Sequence, residues 1–291
     1  MSVLRVYCKG NNAVLNEFAK THDVEFLKDP SLFKKLFATP VYPDVYFYSG
    51  SFENNSLEMM NNALKIIVTS NLTKLNLVKK HQMPAEKIEV VYPSFTPSEI
   101  NIKEARKDFF NQLKMDKKTK IIFFTAKNLK NNGVKEFIDI ILSLSATNVK
   151  VIIAGERNQI TNLKFQTSKY NFGDKVLLYE DFENEDLLFA ISDIFILPTT
   201  VASFSLNILK AMYYKTAVFI TADNASREIV DVFATMDGPN DRSMPFKVDA
   251  LLQGNDDLKL IKKQNRKTAK KLSMQNQLKQ LERIVKRLKE S

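Results

Sequence analysis

The sequence contains little cysteine and little histidine, and this scarcity limits the chemistry that the chain can perform. Cys8 is the only cysteine, so an internal disulfide is impossible and a cysteine-rich metal site is excluded. His22 and His81 are the only histidines, which argues against a zinc enzyme. A dinucleotide fingerprint is also missing. We therefore expect neither a metal ion nor another cofactor.

Long apolar runs are missing as well. No run approaches the roughly 18 residues that span a bilayer. The first residues, MSVLRVYCKGNN, lack the apolar core of a signal peptide. With 44% hydrophobic residues, the chain can nevertheless bury a sizeable core. The sequence thus predicts a soluble, cytoplasmic protein.

The net charge of +10 would suggest nucleic acid as a partner if the excess of basic residues were spread over the chain. Residues 258–291 contain 12 Lys or Arg against two acidic residues, Glu282 and Glu290. The other 31 basic and 31 acidic residues cancel. Because the whole excess lies in the C-terminal segment, we expect a localised basic surface and no nucleic-acid partner.

Apolar strand patterns alternate with helical patterns along most of the chain. This alternation predicts an α/β fold in which parallel sheets are covered on both faces. Pro93 and Pro97 mark the boundary between a first domain, residues 1–95, and a second domain, residues 96–240. Residues 241–291 form a basic helical segment, which we expect to pack back on the first domain.

The stretch from Ser192 to Val230 carries the strongest signal for both fold and site. Ile194 to Leu197 is an apolar run that stops at a proline, Phe204 to Met212 has apolar residues at helical spacing, and Ala217 to Ile220 is apolar again. A further helix start follows. Such a unit places parallel strands side by side, and in such sheets ligands bind beyond the carboxyl ends of the strands.

This stretch resembles the donor-sugar motif of the group-one family of retaining glycosyltransferases, which have the GT-B fold. The matching residues are Leu197-Pro198-Thr199, Ser203-Phe204-Ser205-Leu206, Ile208-Leu209 and Ala211-Met212. Two glutamates of the motif, which in the family hold the sugar and ribose hydroxyls of the donor, are replaced by Ala202 and Lys210. The resemblance covers roughly residues 65–231. It implies two Rossmann-like domains facing across a cleft, with an abbreviated acceptor-side N-terminal domain and a nucleotide-sugar-binding C-terminal domain.

The resemblance also implies where the donor diphosphate binds. Lys127 falls at the position of a family arginine near the first βα turn of the second domain, and Lys130 lies beside it. Cations at a helix N-terminus suit a diphosphate. Asn132 stands where the family has a lysine. Solvated loop lysines are an equally good interpretation, because Lys is routinely exposed.

The remaining donor-site candidates are turn and loop residues. Gly10 and Gly155 end predicted strands, where backbone N–H groups could approach the ligand, although plain tight turns explain both glycines. The backbone N–H groups of Ser203, Phe204 and Ser205 would face phosphate. Lys210 would bind phosphate or a hydroxyl, and Glu228 would begin a helix near the donor.

In the C-terminal segment, apolar residues recur at steps of four and three. They are Met274, Leu278, Leu281, Val285 and Leu288. The other faces carry lysine and arginine, so the pattern predicts an amphipathic basic helix. Three interpretations of this helix are open. It packs on the first domain, it docks on anionic lipid at the inner membrane face, or it contacts a protein partner through a coiled coil.

We predict a hexosyltransferase-type enzyme that transfers a sugar from a nucleotide sugar to a glycan, lipid-linked or protein acceptor. No catalytic residue is identified from the sequence. Loss of both motif glutamates leaves a second hypothesis open, in which the chain is a catalytically inactive GT-B homologue that acts as a binding or scaffold protein.

Overall fold

The computed structural model describes residues 3–28, 40–52, 55–168, 170 and 172–290. The chain divides into two compact units. The first unit comprises Met1–Phe95 and Leu272–Ser291, and the second comprises Thr96–Lys271.

The first unit is built on a five-stranded sheet in which every pairing is parallel. Its strands are β1 (Leu4–Cys8), β2 (Val24–Phe26), β3 (Val45–Phe47), β4 (Lys65–Val68) and β5 (Ile88–Val90), in the spatial order β2-β1-β3-β4-β5. Among the described residues, its α-helices before the linker are α1 (Ala13–Phe18), α2 (Ser56–Asn62) and α3 (Asn71–His81). Strand β3 is buried along its whole length, as expected for the middle of a sheet covered on both faces.

The second unit contains a six-stranded parallel sheet. Its strands are β6 (Lys120–Thr125), β7 (Val149–Gly155), β8 (Val176–Glu180), β9 (Ile194–Leu197), β10 (Ala217–Thr221) and β11 (Thr235–Met236). Their spatial order is β11-β10-β9-β6-β7-β8. After β6, the chain first adds β7 and β8 on one side of this strand and then adds β9, β10 and β11 on its other side. In open α/β sheets, this kind of switch point is where ligands bind.

Helices cover the second sheet. They are α4 (Ile102–Gln112), α5 (Val134–Leu142), α6 (Arg157–Thr167), α7 (Glu185–Ile191), α8 (Leu206–Tyr213), α9 (Met244–Gln253) and α10 (Asn255–Lys271). Aromatic side chains fill the space between helices and strands. The ring of Phe123 on β6 contacts Phe189 on α7 edge-on, with 5.0 Å between ring centroids, and Phe195 on β9 lies 5.7 Å away.

A buried aspartate joins three elements of the second unit. Asp193, just before β9, binds Arg106 at 2.7 Å and Lys262 at 2.8 Å, and it accepts the Ile121 N–H at 3.0 Å. Burial alone would raise the pKa of Asp193, but the charges of Lys262 and Arg106 outweigh it and hold the pKa below its ordinary value. This cluster fastens α4 and α10 to the sheet.

The last helix, α11 (Met274–Glu290), belongs to the first unit. Its residues Leu281, Ile284 and Val285 are buried in a core that includes Val14 of α1 and Val45 of β3. The basic residues of α11 remain exposed. The apolar face of the helix is therefore occupied by the protein's own core.

The prediction of an α/β fold with two Rossmann-like parallel sheets is confirmed. The segment 241–291, which we treated as one unit, is divided, because α9 and α10 belong to the second unit and only α11 joins the first. A short 3₁₀ helix at Ala225–Ile229 takes the place of the further helix predicted after β10. None of the helices among the described residues has the length and apolar character needed to cross a membrane.

Candidate functional site

A pocket of about 410 Å³ lies at the carboxyl ends of β6, β7 and β8 in the second unit. It is lined by Thr125, Ala126, Lys127, Ala154, Gly155, Glu156, Asp181, Phe182, Glu185 and Asn207. Its wall combines a lysine, three carboxylates, an amide and backbone groups. This composition suits a polar ligand that carries both negative charge and hydroxyl groups.

Lys127 enters the pocket on the loop that follows β6. The amide of Gln159 fixes this loop, because its Nε2 donates to the Lys127 carbonyl at 3.0 Å and its Oε1 accepts from the Leu129 N–H at 2.7 Å. Within the described part of the chain, no carboxylate lies within ion-pair distance of the Lys127 ammonium, and the residue is exposed. The lysine is thus available to an anionic ligand, and its binding of a diphosphate stays a prediction.

Gly133, at the end of the same loop, packs against the residue that terminates β9. Its φ is +85°, and a β-carbon at this position would overlap the carbonyl oxygen of Pro198. Next to it, the Thr199 hydroxyl donates to Asn132 Oδ1 at 3.0 Å. Asn132, which stands at the family's lysine position, therefore joins the two loops instead of supplying a charge.

The loop after β9 is held by residues that follow β10. Asn224 Nδ2 donates to the Val201 and Ser203 carbonyls at 2.8 Å each. The Ser205 N–H donates to Ser226 Oγ at 2.6 Å, so the predicted phosphate contact of this N–H is already taken by the protein. Phe204 is buried and packs in the core, whereas Ser203 is exposed. Of the three N–H groups predicted here, that of Ser205 has another partner.

Lys210 on α8 points toward the preceding helix, α7. Its ammonium lies 3.1 Å from Glu185 Oε2 and 3.4 Å from Asp186 Oδ1, and its side chain is 20% exposed. Glu185 Oε1 accepts from the Thr125 hydroxyl at 3.0 Å. Lys210 is thus paired with carboxylates of the protein, and it is not among the described residues that line the pocket. The partners of Lys210 in the structure are therefore these two carboxylates, whereas the sequence predicts that it binds phosphate or a hydroxyl of the donor.

Asp186 stays charged because several donors converge on it. Its Oδ2 accepts from the Tyr214 hydroxyl at 2.8 Å, from the Ser98 N–H at 3.1 Å and from the Ser98 hydroxyl at 3.0 Å. Burial opposes the charge, yet the hydrogen bonds from Tyr214 and Ser98 and the charge of Lys210 hold the pKa of Asp186 below its ordinary value. Burial and the bond to Asp186 raise the pKa of Tyr214. Lys210 therefore faces the ionised Asp186 as well as the Glu185 carboxylate.

The other predicted site residues are distributed as follows. Gly155 lines the pocket and leaves room for Leu129, whose Cδ1 would lie 2.9 Å from a β-carbon at residue 155. Lys130 is exposed on the same loop as Lys127, but it is not among the described residues that line the pocket. Glu228 is exposed on the 3₁₀ helix after β10. The structure therefore brings Lys127 and Gly155 together and leaves Lys130 and Glu228 outside the pocket.

Gly10 lies in the first unit, after β1. Its φ of +90° requires a conformation that glycine adopts freely. The α1 helix that follows has six residues, and its first turn is capped by the Asn12 side chain, which accepts from the Leu15 N–H at 3.0 Å. A tight turn explains this glycine.

Sequence reasoning missed Glu185, Asn207 and Gln159. Glu185 is the first residue of α7, whose N-terminus is capped by the Asn184 side chain. Asn207 Nδ2 donates to the Thr125 carbonyl at 3.1 Å, which joins α8 to the end of β6. All three lie in the first turn of a helix that follows a strand, which could have suggested a role in the pocket, but their contacts are to residues far away in the sequence.

Three of the pocket's residues are carboxylates, and acidic groups sometimes mark a metal site. Among the described residues, however, no group of three or more His, Cys, Asp or Glu side chains is arranged to hold a metal ion. The nearby cations and amides already contact these carboxylates. For example, Asp181 accepts from the Arg157 N–H at 3.1 Å.

Two Rossmann-like units, each built on a parallel sheet, are the architecture of the GT-B fold. The family model for group 1 glycosyl transferases matches residues 105–268, and the chain belongs to this family. It is therefore a glycosyltransferase-like protein. No curated protein sequence matches the chain significantly.

Solved structures show the same fold at low sequence identity. A glycosyltransferase from Rickettsia africae ESF-5 is 15% identical, with a TM-score of 0.74 and coverage of 98% of this chain and 77% of that one. Alr3699/HepE of Anabaena, crystallised in complex with UDP-glucose, is 16% identical, with a TM-score of 0.68 and coverage of 83% and 71%. WaaG, a glycosyltransferase involved in lipopolysaccharide biosynthesis, is 12% identical, with a TM-score of 0.66 and coverage of 92% and 95%.

Proposed function

We propose that the chain binds a nucleotide sugar in the pocket at the ends of β6, β7 and β8 and transfers the sugar to a glycan, lipid-linked or protein acceptor. The observation that carries this proposal is the position of Lys127. Its ammonium has no carboxylate partner in the described part of the chain, and it lies on a loop that Gln159 fixes at the switch point of the sheet. The structure of HepE with UDP-glucose, a protein of the same fold, supports a uridine nucleotide as the first donor to test.

In this proposal, Lys127 binds the diphosphate of the donor. Charge-assisted hydrogen bonds to phosphate are about twice as strong as neutral ones. When the bond between the sugar and the diphosphate breaks, negative charge grows on the leaving diphosphate, and a fixed cation stabilises it more in the transition state than in the ground state. Retaining transfer can proceed largely on such leaving-group stabilisation, without a metal ion.

A specific observation favours a second candidate, an inactive homologue that binds a nucleotide or serves as a scaffold. Neither motif carboxylate is retained at its own position, because residue 202 is an exposed alanine and residue 210 is a lysine that pairs with two carboxylates. Such a protein would keep the nucleotide pocket and lose the contacts that orient the sugar.

Two measurements on the full chain distinguish these candidates. The first is calorimetric binding of UDP and of UDP-glucose, and the second is release of UDP from UDP-glucose over hours, with and without an extract of bacterial glycolipids as acceptor. Binding with UDP release that is lost in Lys127→Ala supports the enzyme. Binding without release supports the inactive homologue. If neither UDP nor UDP-glucose binds, and a panel of other nucleoside diphosphate sugars also fails to stabilise the protein, the proposal is wrong.

The basic face of α11 supports a peripheral location at the inner membrane face, with the protein acting in the cytoplasm. Its exposed cations are Lys279, Arg283, Lys286, Arg287 and Lys289. Since the apolar face of α11 is buried, contact would use charge alone, at about 1 kcal/mol per cation near an anionic surface. Sedimentation with vesicles of anionic and of neutral lipid tests this. Loss of anionic binding in Lys279→Gln/Arg283→Gln/Lys286→Gln supports it, whereas equal sedimentation with both lipids would leave a protein partner as the use of this face.

A further inference from the structure

We infer that Glu185 recognises a pair of neighbouring hydroxyl groups on the ligand of the pocket, and that Lys210 and Thr125 hold its carboxylate in position. This inference rests on the proposed function, because it concerns the ligand of the same pocket. It adds a specificity-determining residue that lies outside the Leu197 to Met212 motif.

The Glu185 carboxylate is fixed by three elements of the second unit. The residue itself opens α7, its Oε1 accepts from the Thr125 hydroxyl at the end of β6 at 3.0 Å, and its Oε2 accepts from the Lys210 ammonium of α8 at 3.1 Å. The side chain is nevertheless 35% exposed, and it lines the pocket. A carboxylate held in this way loses little conformational entropy when it binds a ligand.

The chemistry of this carboxylate suits hydroxyl groups. An ionised carboxylate only accepts hydrogen bonds, and it offers about four lone-pair sites on its two oxygens. Thr125 and Lys210 each occupy one oxygen from the protein side, so each oxygen keeps a site for a donor from the pocket. Two adjacent hydroxyls, as on a ribose or a hexose ring, present two donors at matching spacing.

The charge of Lys210 makes this role compatible with an anionic ligand. Lys210 also lies near Asp186, so it neutralises part of the negative charge that two adjacent carboxylates would place beside the pocket. Lys127, on the loop after β6, lines the same pocket, and no carboxylate of the described residues lies within ion-pair distance of its ammonium. The pocket therefore offers a cation for phosphate and a partly neutralised acceptor for hydroxyls.

The other two carboxylates of the pocket wall differ in what holds them. Glu156 accepts from Gln159 Nε2 at 3.3 Å, and Asp181 accepts from the Arg157 N–H and lies 3.6 Å from the Arg157 guanidinium. Both are thus oriented by the first turn of α6. Of the three, Glu185 is the one in contact with α8, the helix of the glycosyltransferase motif. Lys210, at the position of the motif's second glutamate, thereby holds the carboxylate of Glu185, which belongs to another helix, α7.

The test compares ligands that differ in a single hydroxyl. Binding of UDP and of 2′-deoxy-UDP probes the ribose, and binding of UDP-glucose and of its 2-deoxyglucose and 3-deoxyglucose analogues probes the sugar. All are measured by calorimetry on the wild type, Glu185→Ala, Glu185→Gln, Lys210→Met and, as a matched control, Glu183→Gln. Glu183 is exposed two residues upstream and is not among the described residues that line the pocket. Thermal unfolding of each variant confirms that it is folded.

We expect the wild type to bind the ligand with all its hydroxyls at least about tenfold more tightly than the deoxy ligand in one of the two comparisons, the ribose arm or the sugar arm. This is the effect of a hydrogen bond to a charged group. Glu185→Ala should reduce this preference to within about twofold while it leaves the deoxy ligand's affinity nearly unchanged. Glu185→Gln and Lys210→Met should give intermediate preferences, and Glu183→Gln should behave as the wild type. The arm that responds identifies ribose or hexose as the source of the hydroxyls.

Two results would overturn the inference. If UDP or UDP-glucose binds but the preference is the same in Glu185→Ala and the wild type in both arms, Glu185 does not recognise the hydroxyls, and the proposed function stands without it. If the folded wild type binds neither ligand, and the panel of other nucleoside diphosphate sugars also fails to stabilise it, the proposed function fails and the inference fails with it.

Discussion

The Lys210 ammonium lies 3.1 Å from the Glu185 carboxylate, although 25 residues and strand β9 separate them in the chain. This pair joins α8 to α7, and with Asp186 at 3.4 Å it forms a cluster of one cation and two carboxylates. This cluster determines the effect of placing the motif's glutamate back at residue 210. In this chain, a glutamate at residue 210 would face two carboxylates instead of a hydroxyl.

We predict that Lys210→Glu lowers the free energy of unfolding by about 1 to 3 kcal/mol, because it removes the partner of two partly buried carboxylates and adds a third negative charge. Chemical denaturation, followed through the unfolding transition of the second unit, measures this change in free energy. The swap Lys210→Glu/Glu185→Lys should recover part of the loss, since it restores one pair of opposite charges. Equal stability of Lys210→Glu and the wild type would show that the ion pair is not formed in solution.

Lys127 and Lys130 lie on one loop, but only Lys127 lines the pocket among the described residues. We predict that Lys127→Ala weakens UDP binding by about 1 to 3 kcal/mol, through loss of charge-assisted bonds to phosphate. Lys130→Ala should weaken it much less, by an amount that falls as salt is raised. Titration calorimetry at two salt concentrations measures both, and equal effects of the two variants would contradict the assignment of Lys127.

Gly133 is confined by both conformation and space, because its φ is +85° and a β-carbon would overlap the Pro198 carbonyl. We expect Gly133→Ala to destabilise the protein by at least about 2 kcal/mol and to weaken UDP binding through movement of the Lys127 loop. Gly173→Ala in the same unit is the control, because its φ is +54° with nothing within 4 Å of the added carbon. This control should cost about 1 kcal/mol. A similar loss in both variants would indicate that the close contact between the two loops is absent.

The Asp193 cluster should make the second unit sensitive to acid. The folded-state pKa of Asp193 lies below its ordinary value of 3.8, so its contribution to stability is present above pH 3.8 and is lost as the pH falls from there through the folded-state pKa. Asp193→Asn should cost about 3 kcal/mol at pH 7, because it leaves Arg106 and Lys262 without their buried partner. It should also flatten the decrease of stability below about pH 4. Urea unfolding at a series of pH values checks this, and an unchanged slope in Asp193→Asn would refute the role of this residue.

Much of the fold could be predicted because its signals are local. The apolar run Ile194 to Leu197 is a buried strand, and Asn184 caps its helix through a bond to Leu187, three residues away. The site depends on contacts that the sequence does not display. The partner of Lys210 lies on another helix, and the N–H of Ser205 is taken by Ser226, a residue that follows the next strand.

The division of the C-terminal segment was missed for a similar reason. Both α10 and α11 are basic and amphipathic, so composition cannot distinguish them. What separates them is Lys262 of α10, which reaches the buried Asp193 of the second unit, and Ile284 of α11, which enters the core of the first. Such long-range contacts are determined by the packing of the folded chain and cannot be read from the local pattern of apolar and charged residues.

The most direct test of the account is a titration of the labelled protein with UDP, followed by backbone amide NMR. If the pocket at the ends of β6, β7 and β8 is the donor site, the amides of Ala126, Lys127, Gly155 and Glu156 should shift with a common dissociation constant. The same shifts should be strongly reduced in Lys127→Ala. Shifts confined to other parts of the molecule, or saturating UDP without any shift at these amides, would contradict it.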